Sequence, residues 1–75
     1  NPVSDFVSFS FYSASVQKIK IQIIDITGKI ISQQIINVKA GVNEISLDSL
    51  FLTGGMYILS IQTSANVFSR KIIRE

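Results

Sequence analysis

An all-β fold, an antiparallel β-sandwich of six to seven short strands, is predicted by three observations. Apolar residues recur at alternate positions and nowhere at helical spacing. Isoleucine, a β-branched residue suited to pleated and half-buried surfaces, dominates the apolar set. Turn-forming residues interrupt the chain about every ten positions, the rhythm of a sandwich rather than of βαβ units.

The elements follow in order. Phe6 to Phe11 alternates, with Val7, Phe9 and Phe11 on one face and Ser8 and Ser10 on the other. After Ser13-Ala14-Ser15 a second strand sends Ile19, Ile21 and Ile23 one way and Lys18, Lys20 and Gln22 the other, giving one dry and one wet face. The phase slips at Ile23-Ile24, which predicts a bulge or a stretch buried on both sides. In Asp25-Ile26-Thr27-Gly28-Lys29 an aspartate can cap its own turn and a glycine can take the positive-φ position, so the next strand runs back antiparallel. It spans about Lys29 to Val38, with Ile30, Ile36 and Val38 on one face and Ile31 and Ile35 on the other. A turn at Ala40-Gly41 leads into Val42–Leu47, with Ile45 and Leu47 inward. A corner begins at Asp48-Ser49-Leu50 and ends at Gly54-Gly55; Met56 to Thr63 follows with Tyr57, Leu59 and Ile61 on one side. Ser64-Ala65-Asn66 turns the chain into a last strand, Val67 to Arg74. Leu52, Gly55 and the strand-opening Tyr57 have the arrangement of a tyrosine corner, which makes the expected sandwich immunoglobulin-like.

Composition narrows the function. The chain's 75 residues suffice for one small domain, with 47% hydrophobic residues and no cysteine or histidine, so disulfides and the common zinc sites are excluded. Packing must then offset backbone ordering that costs about 1–2 kcal/mol per residue. The net charge of +2 comes from scattered basic residues with no interleaved aromatic platform, which argues against nucleic acid. No apolar run approaches the ~20 residues of a membrane-spanning helix, and the start does not resemble a signal peptide. Without an initiator methionine the chain reads as a domain excised from a longer protein.

Catalysis has no candidate residues. Asp5, Asp25, Glu44, Asp48 and Glu75 lie beside turns or on polar strand faces, and no carboxylate pair, phosphate-binding glycine loop, calcium loop or nucleophile with a histidine base is present. The expectation is a non-enzymatic domain without cofactor or metal. The remaining unusual feature is Arg70, Lys71 and Arg74, three of the seven basic residues, in the terminal strand. They read as charge protecting an edge against pairing, or as a strand presented to a receptor.

Taken together, Asn1-Pro2, the phenylalanine-rich first strand, Ile23 to Lys29, Gly41-Val42-Asn43-Glu44-Ile45, Leu52 to Tyr57 and terminal Arg70-Lys71-Ile72-Ile73-Arg74 stand in a familiar order. Over essentially the whole chain this resembles the C-terminal sorting domain of type IX secretion, the Por secretion tail. Thr53 stands where many members have proline. The resemblance implies a cargo protein that crosses the inner membrane by its own signal peptide, is recognised in the periplasm, and passes the outer-membrane translocon to the cell surface or medium. Shuttle and sortase proteins are the implied partners, with sortase cleavage at or before Asn1. It implies that Lys71, Ile72, Ile73 and Arg74 are read by the machinery, while Asp25, Gly28, Lys29, Leu52, Gly55 and Tyr57 match internal motifs that hold the fold. The alternative function is an adhesive or carbohydrate-binding sandwich of a secreted enzyme, against which stand the absence of tryptophan and the presence of only two tyrosines. Isoleucine-rich edges also lead us to expect weak self-association.

Overall fold

The computed structural model describes residues 2–3, 6–48 and 52–74, with side chains from Val7 onward. Seven strands are found among the described residues: β1 (Pro2–Val3), β2 (Phe6–Ser13), β3 (Gln17–Asp25), β4 (Ile30–Val38), β5 (Gly41–Asp48), β6 (Gly55–Gln62) and β7 (Val67–Arg74). They form a five-stranded sheet in the order β1-β7-β6-β3-β4 and a two-stranded sheet, β2-β5. All pairs are antiparallel except the short parallel contact of β1 with Ile73 and Arg74. The expected all-β sandwich is the architecture found. The expected corner opening at Asp48-Ser49-Leu50 lies outside the described residues beyond Asp48.

Alternation explains the core. β3 turns Ile19, Ile21 and Ile23 inward, β6 turns Tyr57, Leu59 and Ile61 inward, and these register directly opposite one another at Ile21–Ile61 and Ile23–Leu59. Val7 and Phe9 of β2 and Ile45 and Leu47 of β5 close the core from the other sheet, joined by Leu52, Val38 and Ile72. Burying one such side chain contributes roughly 1.5–3 kcal/mol.

Two sequence expectations are corrected. Gln22 does not lie on a wet face: it is 8% exposed, because its amide bridges its neighbours on the outer side of the sheet. Gln62 Nε2 donates to Gln22 Oε1 at 3.2 Å, and Gln22 Nε2 donates to Gln33 Oε1 at 2.7 Å. Ile30 does not share a face with Ile36 and Val38. Ile23 pairs with Ser32 and Ile24 with Ile30, so the register shift at Ile23/Ile24 leaves Ile31 as an extra residue on β4. That bulge rotates Ile30 to the outer face beside Ile24, where it is 49% exposed.

The turn from β4 to β5 carries the chain between the sheets and is tied by Asn43. Its Oδ1 accepts from Lys39 N–H at 3.0 Å, while Nδ2 donates to the carbonyls of Lys39 (2.9 Å) and Gly41 (3.2 Å). Gly41 supplies the φ of +104° needed at that crossing. We expect Asn43→Ala to destabilise the domain by about 1–3 kcal/mol, read as a lowered urea midpoint. Asn43→Asp should rescue little, since a carboxylate keeps the acceptor and loses both donors.

Candidate recognition site

The internal and terminal motifs converge because β6 lies between β3 and β7. Asp25 registers with Tyr57, and Tyr57 with Ile72, across three adjacent strands. Gly55 registers with Arg74, Met56 with Ile73, and Ile58 with Lys71. Residues that sequence reading could associate only by their order therefore occupy one end of the five-stranded sheet.

The tyrosine corner is formed as its residues predict. Tyr57 is buried, and its hydroxyl donates to the carbonyl of Thr53 at 2.8 Å and lies 3.1 Å from the Thr53 hydroxyl. Threonine thus fits the corner and adds a polar contact. Leu52 is buried beneath it, and Arg74 Nε donates to the Leu52 carbonyl at 3.5 Å, a long bond that ties the last strand to the corner.

Asp25 and Gly28 close the β3–β4 turn. Asp25 Oδ1 accepts from the Thr27 hydroxyl at 2.6 Å, Thr27 N–H at 2.9 Å and Lys29 N–H at 3.0 Å. Gly28 N–H donates to the Asp25 carbonyl at 3.0 Å, and Gly28 takes φ +92°. The Thr27 hydroxyl bond is the main cause holding the Asp25 carboxyl below its ordinary 3.8, with the two N–H groups and the Lys29 charge assisting and desolvation opposing. Lys29 contributes to this turn chiefly through its backbone.

The four residues of the terminal motif, Lys71 to Arg74, divide by alternation. Ile72 points inward and is 2% exposed; Arg74 is half-buried on the same side, against the corner. Lys71 and Ile73 point outward beside Ile58 and Met56, where Ile73 is 39% and Met56 43% exposed. Sequence reading missed Met56 as part of this surface; its place after Gly55, in phase with Ile58, is the signal that could have found it.

A second feature lies on the open side of the sandwich between β2 and β7. A groove of about 310 Å³ is lined by Phe9, Phe11, Tyr12 and Phe68, with Arg70 at its wall. Phe11 and Phe68 meet edge to face, with centroids 6.0 Å apart. No group of acidic, histidine or cysteine residues able to hold a metal occurs among the described residues, and no helix there is long and apolar enough to cross a membrane.

Two predictions follow from this end of the sheet. Gly28→Ala should cost about 1–2 kcal/mol although open space surrounds the added methyl, because the left-handed φ alone is strained; a urea midpoint measures it. For Asp25 the folded carboxyl ionises below its unfolded value, so its contribution to stability is full above about pH 4 and disappears as pH falls through the folded value. Asp25→Asn, which keeps the acceptor and removes the titration, should flatten the decline of melting temperature below that pH.

Searches of curated proteins and of solved structures found no match. The family model described as the secretion system C-terminal sorting domain, Por secretion tail, matches residues 1–75, the whole chain. That is a sorting-signal family rather than an enzyme family, and it implies export to the cell surface or extracellular space. The chain belongs to the Por secretion tail family, the C-terminal sorting domains of type IX secretion.

Proposed function

We propose that this domain is the folded export signal at the C-terminal end of a cargo protein, recognised in the periplasm through the outward side of its last strand. The cargo then passes the outer-membrane translocon, and a surface sortase removes the sandwich at or before Asn1. Lys71, Ile73 and Met56 make the recognition surface, while Ile72 and Arg74 keep β7 in the register that presents them. The observation that carries this reading is the split of the terminal motif, two residues held by core and corner and two exposed side by side with Met56.

Backbone geometry adds support. β1 pairs only with Ile73 and Arg74, so from Val67 to Lys71 the outer edge of β7 has no strand against it among the described residues. An extended segment of the machinery can add there by backbone pairing.

The groove is the one observation favouring the alternative, an adhesive or sugar-binding module. Tyr12 is 69% and Phe68 48% exposed, and Ser10, Ser69 and Arg70 stand beside them as polar groups. Saturable binding on a glycan array, lost in Tyr12→Ala, supports that second reading.

The main test fuses the 75 residues behind a periplasm-targeted fluorescent reporter, in a host with the type IX machinery and in one lacking its translocon. Reporter should reach the surface or medium only in the first host. Removing residues 71–75 should leave it periplasmic. The double variant Lys71→Glu, Ile73→Asp should reduce export roughly tenfold or more while stability changes by only about 0.5 kcal/mol. Ile72→Ala should instead cost about 2–5 kcal/mol and lose export through unfolding. Full export by the double variant excludes this surface.

A further inference from the structure

The strand edges of this domain are not equally defended. β7 carries Arg70, Lys71 and Arg74, and β5 carries Glu44 and Asp48. The free edge of β2 looks onto the groove, with β7 opposite. β4 is different: it closes the five-stranded sheet at the side away from β7, and from Ile30 to Val38 it contains neither charge nor proline. Edge strands with neither device pair readily with another chain. Its one irregularity, the bulge at Ile31, lies at one end and leaves Ser32 to Val38 regular.

We infer that β4 is a self-association edge, pairing antiparallel with β4 of a second copy about a two-fold axis through Ile35. The absence of charge on β4 admits a second copy as partner, and the regular stretch and its side-chain chemistry select the register. Ile35 is the midpoint of the regular stretch and is 65% exposed. A two-fold axis there sets Ile35 against Ile35 of the copy, Gln34 against Ile36, Gln33 against Asn37 and Ser32 against Val38. All seven regular residues are paired. Like faces stay on the same side of the continued sheet, because each opposed pair has the same parity. The outer-face amide chain Gln62–Gln22–Gln33 then continues to Asn37 of the copy, from a residue already held by Gln22. Lys29 and Lys39 flank the strand and lie outside the paired stretch. Moving the axis one residue toward the N-terminus, to Gln34, pairs only Ser32 to Ile36 among the regular residues and leaves Asn37 and Val38 opposite the bulged end of the copy.

Sedimentation of the 75-residue chain from about 1 µM to about 1 mM should show its mass rising from monomer toward dimer. Ile35→Lys, at an exposed site, should raise the dissociation constant roughly tenfold or more; Val67→Lys, on the opposite edge, should leave it unchanged. Because the chain has no cysteine, single-cysteine variants read the register directly. Directly opposed residues have Cα atoms about 4.5–5.5 Å apart, within disulfide reach, whereas diagonal ones at about 7–8 Å are outside it. Ile35→Cys should therefore oxidise to a covalent dimer faster than Gln33→Cys or Gln34→Cys. A monomer at every concentration, an unaffected dimer in Ile35→Lys, or faster cross-linking at Gln33 or Gln34 overturns the proposal.

Discussion

β6 is the constraint on which the rest of the sandwich depends. It is hydrogen-bonded to β3 on one side and β7 on the other, and it supplies Tyr57, Leu59 and Ile61 to the core. A one-residue slip of β6 would turn all three to the outer face and would break the alignment of Asp25, Tyr57 and Ile72 at once. The tyrosine corner prevents that slip at its origin. With the Tyr57 hydroxyl bonded to the Thr53 carbonyl four residues upstream, the first turn of chain before β6 cannot shift along the sheet without leaving a buried hydroxyl unpaired.

The outer face of the large sheet solves a different problem. A domain this small has only two strands to cover five, so one face of the five-stranded sheet has no covering layer among the described residues. At its middle the sequence places Gln62, Gln22 and Gln33, whose amides bond in series, with Ser60 and Ser69 continuing the polar row. Toward the turn end the same face becomes apolar, with Ile24, Ile30, Ile58, Met56 and Ile73. The polar row separates this apolar cluster from Ile35 and Val67, which lie on the same face toward the other end.

Much of this was legible in the sequence because its cause is local. Period-two alternation located β2, β3, β5 and β6 with their inward residues and the span of β7 without them, and the Asp25–Gly28 turn carries its own cap and its own positive φ. The slip at Ile23-Ile24 was visible as two adjacent isoleucines, but which strand holds the extra residue depends on pairing with β4; Ile31, not a residue of β3, is the surplus one. Gln22 was misread for the same reason, since alternation assigns a face and does not reveal the amides of two neighbouring strands waiting on it. Asn43 illustrates the third kind of gap: its four-residue reach back to Lys39 matters only because the chain changes sheets there.

The terminal motif shows how a linear sequence and a folded surface differ as signals. Lys71-Ile72-Ile73-Arg74 is one string in an extended tail, but in a strand its members point alternately to opposite faces. Folding therefore buries Ile72, half-buries Arg74 against the corner and sets Met56, fifteen residues before Lys71, beside Ile73. A partner that reads the folded domain is sensitive to Met56 and to the register of β6 against β7, neither of which belongs to the string. A partner that reads an unfolded tail is sensitive to all four residues and indifferent to Met56. The bond from Arg74 to the Leu52 carbonyl and the burial of Ile72 favour the folded form, because exposing the string requires breaking both and stripping β7 from β6.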